Sequence, residues 1–156
     1  MIDIDVPGYR TFRLQHLVLD VNGTIAKDGR LIDGTKELLA QLAAQVEIHM
    51  ITADTHGRQE IIDRQLNRDA VRIPVQKQAE AKHDYIEKLG KDTVAAVGNG
   101  ANDALMLERA ALGIAIMGSE GAAGITLQKA DVVTTDILSA LELLLYPKRL
   151  AATLRR

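Results

Sequence analysis

The chain has 156 residues, 47% apolar and 3% aromatic, with no cysteine and a formal net charge of −2. That bounds one domain of common size, whose core must come from Leu, Ile, Val and Ala packed on a sheet. The charge argues against a nucleic-acid binder, and the missing cysteines exclude disulfides, thiol catalysis and thiolate metal sites. No signal peptide or bilayer-length apolar run is evident, so the expected location is cytoplasmic, with no membrane partner.

Ile2, Ile4 and Val6 alternate with Asp3 and Asp5, the pattern of a half-buried strand, and Pro7-Gly8 marks a turn. Residues 11–15 can return as a second strand, so 1–16 is expected to be an edge hairpin. Leu17, Val18 and Leu19 then run into Asp20, with Gly23 and Thr24 following. This reads as a buried strand that delivers an acid to a turn. Open α/β sheets bind ligands outside the carboxyl ends of their strands, and Gly23 lets backbone N–H groups approach such a ligand. An aspartate placed there can attack a phosphoryl group, or it can simply begin a turn.

Within residues 25–32, Asp28-Gly29 between apolar residues predicts a hairpin that projects over that strand end as a flap. Lys27 and Arg30 on the flap are either substrate contacts or solvated charge. Asp33 is expected to cap a helix whose apolar face is Leu38, Leu39, Leu42 and Ala43. A strand over 46–51 ends at Thr52-Ala53-Asp54-Thr55, and a helix follows over 57–66. A short strand at 72–75 contains Pro74, which makes it an edge. Residues 78–89 read as a helix closed by Gly90.

A strand over 93–97 runs into Gly98-Asn99-Gly100-Ala101-Asn102-Asp103, and a helix carrying Leu105, Met106 and Leu107 follows. A strand at 112–116, a weak helix at 121–127 and a strand at 131–133 come next. Asp136 begins a helix over 137–145 that Pro147 interrupts before a basic amphipathic tail. Such alternation means βαβ units: an α/β domain over 1–156, its mainly parallel sheet covered on both faces, with no insertion long enough for a lid domain. The four histidines, His16, His49, His56 and His83, show no paired metal-ligand spacing and read as surface or supporting residues.

Four polar groups thus gather on one rim of the sheet. Asp20 can be a nucleophile, Thr52 can donate a hydroxyl to a phosphoryl oxygen, Lys82 can offset negative charge and Asp103 can hold Mg²⁺. Lys77 is a second candidate lysine, but it falls at the very start of its helix. Gly98-x-Gly100 lacks the third glycine of a dinucleotide fingerprint. A receiver domain uses Asp, Thr and Lys in the same order, but its Asp lies on a middle strand after an acidic pair on the first.

These motifs resemble the haloacid dehalogenase (HAD) superfamily, in particular the phosphorylation domain of P-type ATPases and the small stand-alone soluble proteins similar to it. Asp20-Val21-Asn22-Gly23-Thr24 looks like the motif whose leading Asp is phosphorylated, and Ile51-Thr52-Ala53-Asp54 like the hydroxyl motif. Lys82 with Ile86 and Leu89 looks like the lysine element, and residues 98–104 like the metal motif. The likeness covers roughly residues 17–145. It implies a three-layer Rossmann-like (HAD-like) fold without a cap domain, an aspartyl-phosphate at Asp20, and Mg²⁺. It assigns catalysis to Asp20, Thr52 and Lys82, and phosphate contacts to Asn22, Gly23, Thr52, Ala53 and Lys82. It assigns Mg²⁺ to Asp20, the Asn22 main-chain carbonyl, Asn99 and Asp103.

Two positions depart from the pattern. Asn22 stands where phosphatases of the superfamily carry an acid that protonates the leaving oxygen and later activates water. Asn99 stands where the superfamily usually has a metal-binding Asp, and a neutral amide should weaken a hard-cation site. The expected activity is a slow Mg²⁺-dependent phosphatase or phosphotransferase acting on a phosphorylated small molecule or phosphoprotein. Self-association through the flap hairpin is one way to close an open site over a small substrate. The alternative is a non-catalytic phosphate- or phosphoprotein-binding module, or a receiver-like regulatory domain.

Overall fold

A computed structural model describes residues 1–54 and 57–156. Thr55 and His56, at the end of the second motif, lie outside the described residues. Among the described residues the central sheet has six strands: β3 (His16–Asp20), β6 (Glu47–Thr52), β7 (Val71–Arg72), β8 (Val94–Gly98), β9 (Leu112–Ile116) and β10 (Val132–Thr134). Their order is β10-β9-β8-β3-β6-β7, and every pairing is parallel. Strand β3, which ends in Asp20, therefore lies in the middle, between β6 and β8.

Alternation along each strand divides the core in two. Leu17 and Leu19 of β3, with Ala95 and Val97 of β8, join one apolar cluster. That cluster includes residues of α1 (Thr35–Leu42), α2 (Gln59–Leu66), α6 (Ile137–Leu145) and α7 (Pro147–Leu154). Val18, Val94 and Ala96 join the other, with residues of α3 (Gln78–Leu89), α4 (Ala104–Arg109) and α5 (Gly124–Lys129). This is the expected three-layer arrangement, with helices on both faces of a parallel sheet. Among the described residues no helix is long and apolar enough to cross a membrane.

The N-terminal strands β1 (Ile2–Val6) and β2 (Arg10–Leu14) form an antiparallel hairpin, but not at an edge of the main sheet as expected. They make a separate two-stranded sheet. The edges of the main sheet are β10 and β7. The chain passes from β2 to β3 through Gln15, whose N–H donates to Thr93 O and whose carbonyl accepts from Glu47 N. The hairpin thus continues the amino end of β3 and buries Ile2, Ile4, Val6, Phe12 and Leu14 in the first cluster.

A second hairpin, β4 (Ala26–Lys27) and β5 (Arg30–Leu31), turns at Asp28 (φ 51°) and Gly29 (φ 74°). Positive φ at both central residues matches the right-handed twist of the flanking strands. Asp33 does not cap α1: the residue before the helix is Gly34, and no side chain caps it. Asp136 does cap α6, accepting the Ser139 N–H at 2.8 Å.

Candidate active site

Asp20 shares the parity of His16 and Val18, so its side chain points toward the α3 face of the sheet. Lys82 and Ile86 are the buried residues of α3, one turn apart, so the helix turns the lysine toward the sheet. The Lys82 ammonium is 1% exposed and donates to Asp20 Oδ1 at 2.7 Å and to Asp103 Oδ1 at 2.6 Å. Thr24 Oγ1 donates to the other oxygen, Asp20 Oδ2, at 2.9 Å and lies 3.4 Å from Asn99 Oδ1.

Asp103 closes the loop after β8. Its Oδ2 accepts the N–H groups of Asn99 and Gly100, each at 2.9 Å, and the side chain is fully buried. It lies over Gly98, where an added Cβ would fall 2.6 Å from Asp103 Oδ2, so no larger residue fits there. Asp103 was expected as a direct metal ligand. In the structure its Oδ1 accepts from Lys82 and its Oδ2 from the loop backbone, so Asp103 also holds the lysine and the Asn99 turn.

The turn after Asp20 is tightly wound: Val21 O accepts from the N–H groups of Thr24, Ile25 and Ala26. Gly23 has φ 83°, and a Cβ there would meet the Glu120 carboxylate and come within 2.9 Å of Asn99 Nδ2. Asn99 Nδ2 also donates to Gly121 O at 3.1 Å. The loop after β9 therefore brings Glu120 against the first motif. The Asn22 side chain is half-buried, and its backbone bridges to Ala26 of the flap. Thr52 is buried at the end of β6. Its Oγ1 accepts the Asp54 N–H at 3.0 Å, which leaves the hydroxyl proton able to donate.

Charge in the site is out of balance. Asp20 and Asp103 flank one ammonium, leaving an excess negative charge away from water. Burial first, then repulsion from Asp103, raises Asp20 from 3.8 to about 7, against the pull of Lys82 and the Thr24 hydrogen bond. For Lys82, burial alone lowers the pKa, but the two carboxylates more than reverse it and the net direction is up. Asp20, Asn99, Asn22 and Glu120 offer oxygen donors around Gly23. An oxygen-only set beside unbalanced negative charge fits a hard divalent cation.

The structure brings together Asp20, Lys82, Asp103 and Asn99, with Thr52 on the strand next to Asp20. Lys27 and Arg30 line an open groove of about 670 Å³ on the flap, away from the Lys82 pairings. Arg58, Asp28 and Asp33 line the same groove. Lys77 is exposed before α3 and joins none of this. Sequence reasoning missed Glu120, which has no motif of its own. It named Thr24 without a role, although its place four residues after Asp20 was the signal. It also missed a meeting of His16 with His49.

The sequence family of haloacid dehalogenase-like hydrolases matches residues 3–111. The chain is 34% identical over 131 residues to a probable copper-exporting P-type ATPase of Archaeoglobus fulgidus, a match that covers 79% of this chain and 16% of the ATPase. Its fold is similar to a putative 3-deoxy-D-manno-octulosonate 8-phosphate phosphatase of Vibrio cholerae, with TM-score 0.68, 17% identity, and 100% of this chain and 99% of that one covered. It is also similar to the 3-deoxy-D-manno-octulosonate 8-phosphate phosphatase of Moraxella catarrhalis, solved with magnesium, phosphate and sugar. There the TM-score is 0.64 at 19% identity, over 85% of this chain and 86% of that one. At such identities the structures establish the fold, whereas the family match spans most of the chain and includes the Asp20, Thr52, Lys82 and Asp103 motifs. The chain belongs to the haloacid dehalogenase-like hydrolase family.

Proposed function

We propose that this protein is a slow, Mg²⁺-dependent phosphatase or phosphotransferase whose nucleophile is Asp20. The observation that carries this reading is the placement of Lys82 between Asp20 and Asp103. The lysine holds Asp20 Oδ1, and Thr24 holds Oδ2. The carboxylate is thereby oriented at the carboxyl end of the central strand, where a phosphoryl group can approach.

A lone pair of an Asp20 oxygen attacks phosphorus. The bond from phosphorus to the leaving oxygen breaks, and that oxygen departs with the electron pair. Thr52 and the Ala53 N–H orient the phosphoryl oxygens, and Lys82 offsets their charge. Bound at Asp20, Asn99 and the Asn22 carbonyl, Mg²⁺ would supply further neutralisation of the same charge. Asn22 can neither give the leaving oxygen a proton nor take one from water. The departing group is therefore protonated by solvent, and the aspartyl-phosphate breaks down slowly: water attacks phosphorus and loses a proton to solvent, the bond from phosphorus to the Asp20 oxygen breaks, and Asp20 leaves as its carboxylate.

The substrate in this reading is a phosphorylated small molecule or phosphoprotein, and Lys27, Arg30 and Arg58 of the groove contact an anionic part of it. A non-catalytic phosphate-binding module is favoured only by the paired amides, Asn22 and Asn99. Incubation with Mg²⁺ and a panel of phosphomonoesters and acyl-phosphates tests the proposal. Phosphate release that chelator and Asp20→Asn both abolish is expected. Phosphate binding without turnover across the panel would favour the module.

A further inference from the structure

The parallel pairing of β3 and β6 sets His16 opposite Glu47 and Val18 opposite His49. His16, Glu47 and His49 therefore lie on one face of the sheet, the face that packs α3. They are at the amino ends of these strands, whereas Asp20 is at the carboxyl end. His16 and Asp20 are four residues apart on β3, a separation of about 13 Å at ~3.3 Å per residue.

Three donor atoms converge there. His16 Nδ1 is 3.1 Å from His49 Nε2 and 3.4 Å from Glu47 Oε2, and His49 Nε2 is 3.9 Å from the same oxygen. Ligands on a tetrahedral zinc ion at 2.0–2.1 Å are about 3.3–3.4 Å from one another. The three observed separations bracket that spacing. An imidazole–imidazole hydrogen bond accounts for the 3.1 Å contact alone. It does not account for a carboxylate oxygen facing both nitrogens.

The supporting contact is also present. The hydroxyl of Tyr85, on α3, is 2.9 Å from His49 Nδ1. When Nδ1–H donates to the tyrosine oxygen, the lone pair of Nε2 faces His16 and Glu47. Metal-bound histidines are commonly held in this way by an acceptor on the second ring nitrogen. The Glu47 side chain is 62% exposed and that of His16 18%, so an ion can reach the site from solvent and keep a water as fourth ligand.

We propose that His16, Glu47 and His49 form a binding site for a zinc-type divalent transition-metal ion, separate from the Asp20 centre. Two imidazoles and one carboxylate suit zinc and its neighbours, not Mg²⁺, which demands oxygen ligands. The ion ties β3 to β6 and, through Tyr85, to α3. It thus braces the strand that carries Asp20 from its other end. The site stands independently of any reaction at Asp20.

The test is titration of the untagged full-length protein with Zn²⁺ by calorimetry, in millimolar Mg²⁺, together with the visible spectrum of the Co²⁺ form. One saturating equivalent and a tetrahedral Co²⁺ spectrum are expected for the wild type and for Asp20→Asn. His16→Ala and His49→Gln should abolish both, and Tyr85→Phe should weaken Zn²⁺ about tenfold. Circular dichroism without metal confirms folding of each variant. If a histidine variant fails to fold, the solvent-exposed Glu47→Gln decides, with at least a tenfold loss of affinity expected. Saturable binding that survives these substitutions, binding that Asp20→Asn removes, or no saturable binding in the wild type would each overturn the proposal.

Discussion

Lys82 Nζ lies 2.6 Å from Asp103 Oδ1, and this contact fixes where the single buried ammonium of the site stands. Asp20 is on its other side at 2.7 Å. Removing the lysine would leave two buried carboxylates without their counter-ion. Lys82→Met is expected to destabilise the fold by about 3–5 kcal/mol and to cost roughly 10²-fold or more in turnover. Lys77→Met, at an exposed position, should change stability by less than ~0.5 kcal/mol and leave turnover intact. Denaturant unfolding and rate measurement on both variants check this ranking.

The charge imbalance at Asp20 gives a pH signature. Its folded pKa of about 7 lies above the ordinary 3.8. Between these values the folded state keeps a proton that the unfolded state has lost. Stability from this group is therefore present below pH 3.8 and is lost as pH rises toward 7. Asn mimics the neutral form. In chelator at pH 8, Asp20→Asn should be more stable than the wild type and have a higher Tm. The gain should vanish near pH 4 and shrink when Mg²⁺ is added to the wild type.

The meeting of Asp20 with Lys82 was legible in the sequence because each residue rests on local pattern. An apolar run ends in Asp20, and Ile86 one turn from Lys82 marks the face that α3 buries. Thr52 and Asp103 followed from strand ends in the same way. The N-terminal alternation revealed a hairpin but not which sheet it joins, since two-residue periodicity is the same beside a sheet or beyond its end. Asp33 had the chemistry of a cap, yet Gly34 precedes α1. His16 and His49 are 33 residues apart and meet only because β3 and β6 are neighbours in parallel register. Glu120 reaches Gly23 across an irregular loop that no periodicity describes.

The two amides divide the chemistry between them. Asn22→Asp restores a group able to transfer protons and should raise turnover by roughly 10²–10⁴-fold, with faster loss of the aspartyl-phosphate. Single-turnover decay of the phosphorylated protein measures that step directly. Both Asn22 and Asn99 precede glycine and are prone to deamidation, so peptide masses at these positions must accompany every rate.

Metal demand should respond to Asn99 and Glu120 in opposite directions. Asn99→Asp adds a charged oxygen to the donor set and should lower the Mg²⁺ concentration at half-maximal rate. Glu120→Gln removes one and should raise it, by about tenfold, with less effect at saturating metal. Magnesium titrations of the initial rate separate these outcomes.

The most direct test of the account is the mass of the peptide containing Asp20 after acid quench of a reaction with an acyl-phosphate and Mg²⁺. The account predicts one phosphoryl group on Asp20, accumulating because Asn22 cannot activate water, and none in Asp20→Asn or in chelator. Phosphate released by the wild type while Asp20 never carries the label, or a label on another residue that persists in Asp20→Asn, would contradict it.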